Sequence, residues 1–304
     1  MNNKCFRQSN VELCRIFSIL MVLLLHSDFA VFGWPSSWSE PNVPLLALES
    51  FCIVGVNVFV LISGYFSIKV KKETFIKLFY ICFFCAIVKT IFDVIVDGVI
   101  HYSNFLFISR SNWFIPAYLG LVIVSPVLNA FCENSSRKQL LTVIASLLVF
   151  ECYFGFIPSF SSYAAKGITH GLSVFHLSFL YLIARYLRLY DIPRLIRRFS
   201  GLFYLICSIV LTSLSCILIV TNHNDIQIDG NYLVNQLFDY SNPLVIFSAI
   251  CFFLTFLKVK MPVMGGGKSY GTVSSYSAYF ESQYSRHSVY ISPISLDCRA
   301  KHWC

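Results

Sequence analysis

Charge is scarce in this chain. Of 304 residues, 23 are Lys or Arg and 15 are Asp or Glu, so charged side chains make up only 12%. A soluble domain of this length has no interior large enough for the 57% of residues that are hydrophobic. The mean hydropathy of +0.69 points the same way. The formal net charge is +8, yet the cations fall in short clusters between apolar runs, the pattern that orients a membrane protein. A nucleic-acid partner is therefore not expected. No A-x-A site follows the first apolar stretch, which argues against a cleaved signal peptide. The twelve cysteines make no disulfide framework and no zinc site, since Cys14, Cys52, Cys82, Cys85, Cys207, Cys216 and Cys251 all sit in apolar runs. The C-x-x-C of Cys82 and Cys85 lacks the soluble βαβ context of a redox motif. Gly265-Gly266-Gly267-Lys268-Ser269 has Pro262 where a phosphate loop needs its first glycine, and no buried strand precedes it.

What is present is a series of apolar segments near the ~20 residues that a helix needs to cross a bilayer. Eight spans are expected, at roughly 11–32, 45–67, 74–97, 112–131, 138–157, 170–190, 201–220 and 243–257. The fold class is therefore all-α, a polytopic transmembrane bundle. Alternate connections are basic: Lys4 and Arg7; Lys69, Lys71, Lys72 and Lys77; Arg137 and Lys138; Arg185 to Arg198. The intervening ones, 33–44, 98–111, 158–169 and 221–242, hold almost no cations. This alternation predicts a cytoplasmic N-terminus. Trp34, Trp38 and Trp113 then fall at the outer interface, where amphipathic aromatics gather. Residues 261–304 break the pattern with a Ser/Tyr-rich polar tail. The abrupt loss of apolar period leads to the expectation that this tract is translated out of frame, behind a membrane domain spanning 1–260.

Ionisable groups inside a span are costly and mark functional sites. The first span carries Arg15 and His26, eleven residues apart. That is about three turns plus ~20°, so both leave the helix on nearly one face, roughly 16 Å apart along its axis. A lone imidazole among leucines, with Asp28 near enough to orient it, suits a general base. Arg15 has a plainer reading as a snorkelling side chain or a partner for Glu12. Lys89 and Asp93 read as an internally neutralised i,i+4 pair. Asn57, Ser63 and Gly64 suit close helix packing or a polar patch. Tyr181 and Arg185, also i,i+4, place a cation near the basic side for an anionic ligand or lipid phosphate.

The chain resembles the acyltransferase type 3 family of integral-membrane O-acyltransferases, with its closest likeness to bacterial members acting on surface polysaccharides. The Arg-x10-His pair of the first span, Arg15 and His26, is the most specific element. N-V-F-V-L-I-S-G-Y-F (57–66), N-W-F-I-P-A-Y-L-G-L-V-I-V-S-P-V-L-N (112–129), L-Y-L-I-A-R-Y-L-R-L-Y (180–190) and D-Y-S-N-P-L-V-I-F-S-A-I (239–250) follow in order. The resemblance covers residues 7 to about 258. It implies transfer of an acyl group, usually acetyl, from acetyl-CoA to a hydroxyl of a glycan or lipid-linked sugar, in the bacterial inner membrane and without a metal. His26 would be base or acyl relay, with Arg15 steering the donor or holding the catalytic face. Arg185 and Tyr181 would bind the donor, and Asn57, Ser63 and Trp113 the acceptor. The family usually has ten spans, so a tail without apolar helices leaves an inactive, truncated acyltransferase as one alternative. The other is a transporter or flippase-like protein with His26, Lys89 and Asp93 lining a polar path, which the absence of repeated halves disfavours.

Overall fold

The computed structural model of the chain describes residues 9–100, 102–105, 113–156, 169–221, 227–228 and 231–259. The polar tract 261–304, with the reading-frame expectation attached to it, lies outside the described residues. Helices dominate the rest: α1 Ser9–Phe32, α2 Val43–Cys52, α3 Gly55–Phe66, α4 Lys72–Asp97, α5 Phe114–Asn134, α6 Arg137–Phe150, α7 Val174–Leu189, α8 Arg194–Val220, the short α9 Leu233–Leu237, and α10 Pro243–Lys258. A two-residue β pair, Gln227–Ile228 with Asn231–Tyr232, lies between α8 and α9.

Five helical stretches are long and apolar enough to cross a membrane: Ser9–Asp28, Val43–Phe66, Lys72–Ile95, Phe114–Asn134 and Arg194–Val220. The protein is an all-α, polytopic membrane bundle. The remaining three expected spans are shorter helices, of 14 residues in α6 and 16 each in α7 and α10. Their ends have local causes. Ser136 and Gln139 form a capping box at the start of α6. Ser173 caps α7, so that helix starts at Val174 rather than at 170. Asn242 caps α10 ahead of Pro243 at its first position.

The expected second span bends at Ile53–Val54, between α2 and α3. Immediately beyond the bend, α3 is wedged between α1 and α7. A Cβ on Gly55 would stand 2.9 Å from the Ser18 carbonyl oxygen, and one on Gly64 would stand 2.8 Å from both the Tyr181 oxygen and Ala184 Cβ. Only glycine allows such approach, which is how membrane helices gain packing energy without a hydrophobic drive between them. Helix α7 is packed by α3, α5 and α6, with His176 to Arg185 buried almost without a break. Helix α4 is peripheral, and Ile76, Phe79, Tyr80, Ile91 and Ile95 stand exposed on it.

The connections gather at two ends. Asn235 Nδ2 donates to Ser36 Oγ at 2.9 Å, His170 meets Asp239, and the Trp113 ring packs on Tyr240 with centroids 5.5 Å apart. At the other end, Ser67 Oγ donates to Asn129 at 3.0 Å, Arg137 Nε to the Tyr186 hydroxyl at 3.1 Å, and Lys258 Nζ to the Arg198 carbonyl at 3.0 Å. Charge-poor connections thus share one end and basic connections the other.

Candidate active site

Helix α1 carries the pair that the sequence singled out. Arg15 Nη1 donates to Glu12 Oε1 at 2.7 Å, one turn away. The Arg15 guanidinium also lies within electrostatic reach of the Tyr118 hydroxyl on α5. Tyr118 in turn shares a hydrogen bond with Ser63 of α3 at 3.3 Å. Arg15, Tyr118 and Ser63 therefore gather on the α1/α3/α5 side of the bundle.

His26 is half-buried, and its Nδ1 is 2.8 Å from the Val22 carbonyl oxygen. A carbonyl only accepts, so Nδ1 carries the hydrogen and donates. In the neutral ring the lone pair is then on Nε2, which is the form a general base needs. The expected orienting role of Asp28 goes to Val22 instead. Asp28, two residues on and about 200° round the helix, is buried near the fully buried Glu49 of α2, and the oxygens of both carboxyls have no hydrogen-bond partner among the described residues.

Asn57 is fully buried at the start of α3. Its Nδ2 donates to the Tyr240 carbonyl at 3.1 Å, and its Oδ1 accepts from His176 Nε2 at 3.2 Å. The other ring nitrogen of His176 lies 3.0 Å from Glu151 Oε2, both residues being wholly shielded. Glu151 opens a π-helical stretch, Glu151–Phe156, that ends α6. A wider turn of this kind re-aims a side chain and recurs at functional sites. Trp113 reaches the same place from another element through its packing on Tyr240. Asn57 and Trp113 thus meet at Tyr240, and Ser63 lies apart from them with Tyr118.

Tyr181 is fully buried. Its hydroxyl accepts from the Ile68 N–H at 2.9 Å and donates to Asn129 Oδ1 at 2.7 Å, so it braces the turn after α3. Arg185 is 8% exposed and lies beside Cys132 of α5, and its Nε has no hydrogen-bond partner among the described residues. Lys89 and Asp93 pair at 3.9 Å along α4, as their spacing predicts.

The model of a family described as an acyltransferase domain matches residues 8–287. The chain belongs to the acyltransferase type 3 family. It is an acyltransferase of the kind that moves groups other than aminoacyl groups, built as a multi-pass membrane protein. Neither curated proteins nor solved structures give a match. The family match takes in every side chain described above.

Three buried groups of this acyltransferase escape a reading of the sequence that dwells on the first span: Glu49, Glu151 and His176. Each sits in an apolar run, in L-A-L-E-S-F, L-V-F-E-C-Y and S-V-F-H-L-S, so the rule that intramembrane ionisable groups mark sites would have flagged them. What no local pattern shows is that Glu151, His176 and Asn57 form one hydrogen-bonded chain. Among the described residues, no group of three or more His, Cys, Asp or Glu side chains is placed to hold a metal.

Proposed function

We propose that this acyltransferase moves an acetyl group from acetyl-CoA to a hydroxyl of a cell-surface glycan or glycolipid, in the bacterial inner membrane with its basic end in the cytoplasm. The observation that carries the reading is the hydrogen bond from His26 Nδ1 to Val22, which reserves Nε2 as a base. The acceptor hydroxyl oxygen attacks the thioester carbonyl carbon while its proton passes to Nε2. The carbon–sulfur bond then breaks, and the imidazolium returns that proton to the departing thiolate, leaving an ester and free CoA. General base catalysis of this kind contributes about 10²–10⁴-fold.

Arg15 is too far along α1 to touch the same atoms as His26, at roughly 16 Å. Its part is to hold the donor-side face, with Tyr118 and Ser63 beside it. Arg185 offers its free Nε to the anionic donor, since guanidinium–phosphate bonds are among the stronger polar contacts, and Tyr181 fixes the adjoining turn. At the other end Trp113 presents an amphipathic ring for the acceptor sugar. Asn57 steadies Tyr240 beneath that ring.

The test uses membranes bearing the protein, labelled acetyl-CoA and extracted surface glycan. Label should enter the glycan, and His26→Ala should reduce transfer by about 10²-fold or more at unchanged protein level. Transfer unaffected by that substitution removes His26 from the mechanism.

A further inference from the structure

A cavity of about 310 Å³ opens at the basic end, between the last turns of α3, α7 and α10 and the first turns of α8. Its charged and hydroxyl-bearing lining is Tyr65, Arg188, Tyr190, Asp191, Arg197 and Lys258. Three cations thus face one carboxylate.

Among the described residues, Arg188 and Lys258 are held by neutral partners rather than by counter-charges. Arg188 Nη1 donates to the Tyr65 hydroxyl at 3.2 Å, with its guanidinium carbon 5.0 Å from the centre of that ring. Among the described residues this is the hydrogen bond its guanidinium makes, out of five N–H donors. Lys258 Nζ donates to the Arg198 carbonyl at 3.0 Å and lies within electrostatic reach of Arg197. Among the described residues no carboxylate forms an ion pair with any of the three. Like charges brought together without a counter-ion repel, and an anion between them removes that repulsion.

We propose that this cavity is a binding site for a phosphate-bearing ligand, gripped by Arg188, Arg197 and Lys258. Two sources carry that chemistry at this end of the bundle: the nucleotide end of CoA and the headgroup of an anionic lipid. The site stands on the cavity and its cations; only the first source rests on the acyl-CoA reading above.

The experiment uses the full-length protein in lipid nanodiscs. In one arm the lipid is phosphatidylcholine and CoA is titrated in calorimetrically. In the other, phosphatidylglycerol is mixed in, and the lipid retained by the released protein is counted by native mass spectrometry. Arg188→Gln combined with Arg197→Gln should weaken binding in the responding arm roughly tenfold or more, as expected for lost charge-assisted bonds. Asp191→Asn removes the opposing charge and should tighten binding in the same arm, a gain that misfolding does not produce. The arm that responds names the source. Failure of both arms to respond to either change overturns the site. His26→Ala separates the two ideas: it should reduce transfer by about 10²-fold or more and leave phosphate binding intact. CoA binding without any transfer by the unaltered protein sinks the acyl-transfer reading and keeps the site. Transfer with an unchanged KM for acetyl-CoA and unchanged lipid retention in the cavity variants sinks the site and keeps the reading.

Discussion

His170 occupies a backbone conformation that side chains other than glycine rarely adopt, φ 64°, and Gly171 follows at φ 72°. The corner they make presses onto the turn before α10, where a Cβ on Gly171 would stand 2.8 Å from Tyr240 Cβ. Its fastening is the contact of His170 Nδ1 with Asp239 Oδ2 at 2.9 Å, in the connections outside the helices. The Asp239 hydrogen bond, joined by its charge, raises the His170 pKa above the ordinary value, against the opposing pull of burial. Burial also raises the Asp239 carboxyl, against the pull of His170. Both shifts mean that the folded state holds protons more tightly than the unfolded chain, so stability falls as pH rises. The His170 contribution is fully present below about pH 6.5 and is lost as pH climbs through its raised value. Thermal unfolding of the detergent-solubilised protein should therefore show a decline on the alkaline side that His170→Gln flattens. Superimposable profiles for the two proteins would rule the contact out as a stabilising one. At this scale legibility follows separation along the chain. Arg15 with Glu12, and Lys89 with Asp93, are readable because a helix brings i,i+3 and i,i+4 side chains together. His176 with Glu151 lies 25 residues apart and Asn57 with Tyr240 lies 183 apart, distances over which one sequence carries no pairing signal.

Among the elements, α3 is under the tightest constraint. Its N-V-F-V-L-I-S-G-Y-F stretch reads as a packing surface because small residues let membrane helices approach, and Gly64 against Tyr181 and Ala184 realises that reading. Gly64→Ala should force α3 away from α7, since the added carbon meets backbone oxygen and a neighbouring Cβ at 2.8 Å. Overpacking of this kind costs about 1–3 kcal/mol. A melting temperature equal to that of the unaltered protein would show that the interface yields without strain. Apolar runs make the helices legible but not their starts: Ser173 caps α7, whose first residue Val174 lies four beyond the expected edge at 170. The bend at Ile53–Val54 and the π-helical turn at Glu151 were not legible. Both answer to neighbours: Gly55 must reach α1, and Glu151 must reach His176 on α7.

For the whole molecule, the alternation of basic and charge-poor connections predicts which loops share a side, and the two ends of the bundle group them in that way. The positive-inside rule is the ground for proposing that the basic end faces the cytoplasm. A reporter enzyme that folds only outside the cytoplasm should be active when fused after Glu40 and inactive when fused after Ser136. The reverse result would invert the proteins's orientation and, with it, the sides proposed for donor and acceptor. The five long apolar stretches were plain from hydropathy; the shortness of α7 was not. Its enclosure by α3, α5 and α6 relieves it of facing lipid along its length, which lets it carry His176 and Arg185. One contact ties these scales together. The Val22 side chain is the one that a Cβ on Gly55 would meet at 3.0 Å, and the Val22 carbonyl is the one that holds His26 Nδ1. The spacing between two helices is thereby translated into the aim of one imidazole ring. A methyl group added at Gly55 would act on the base as a lever, although it touches no atom of the base itself.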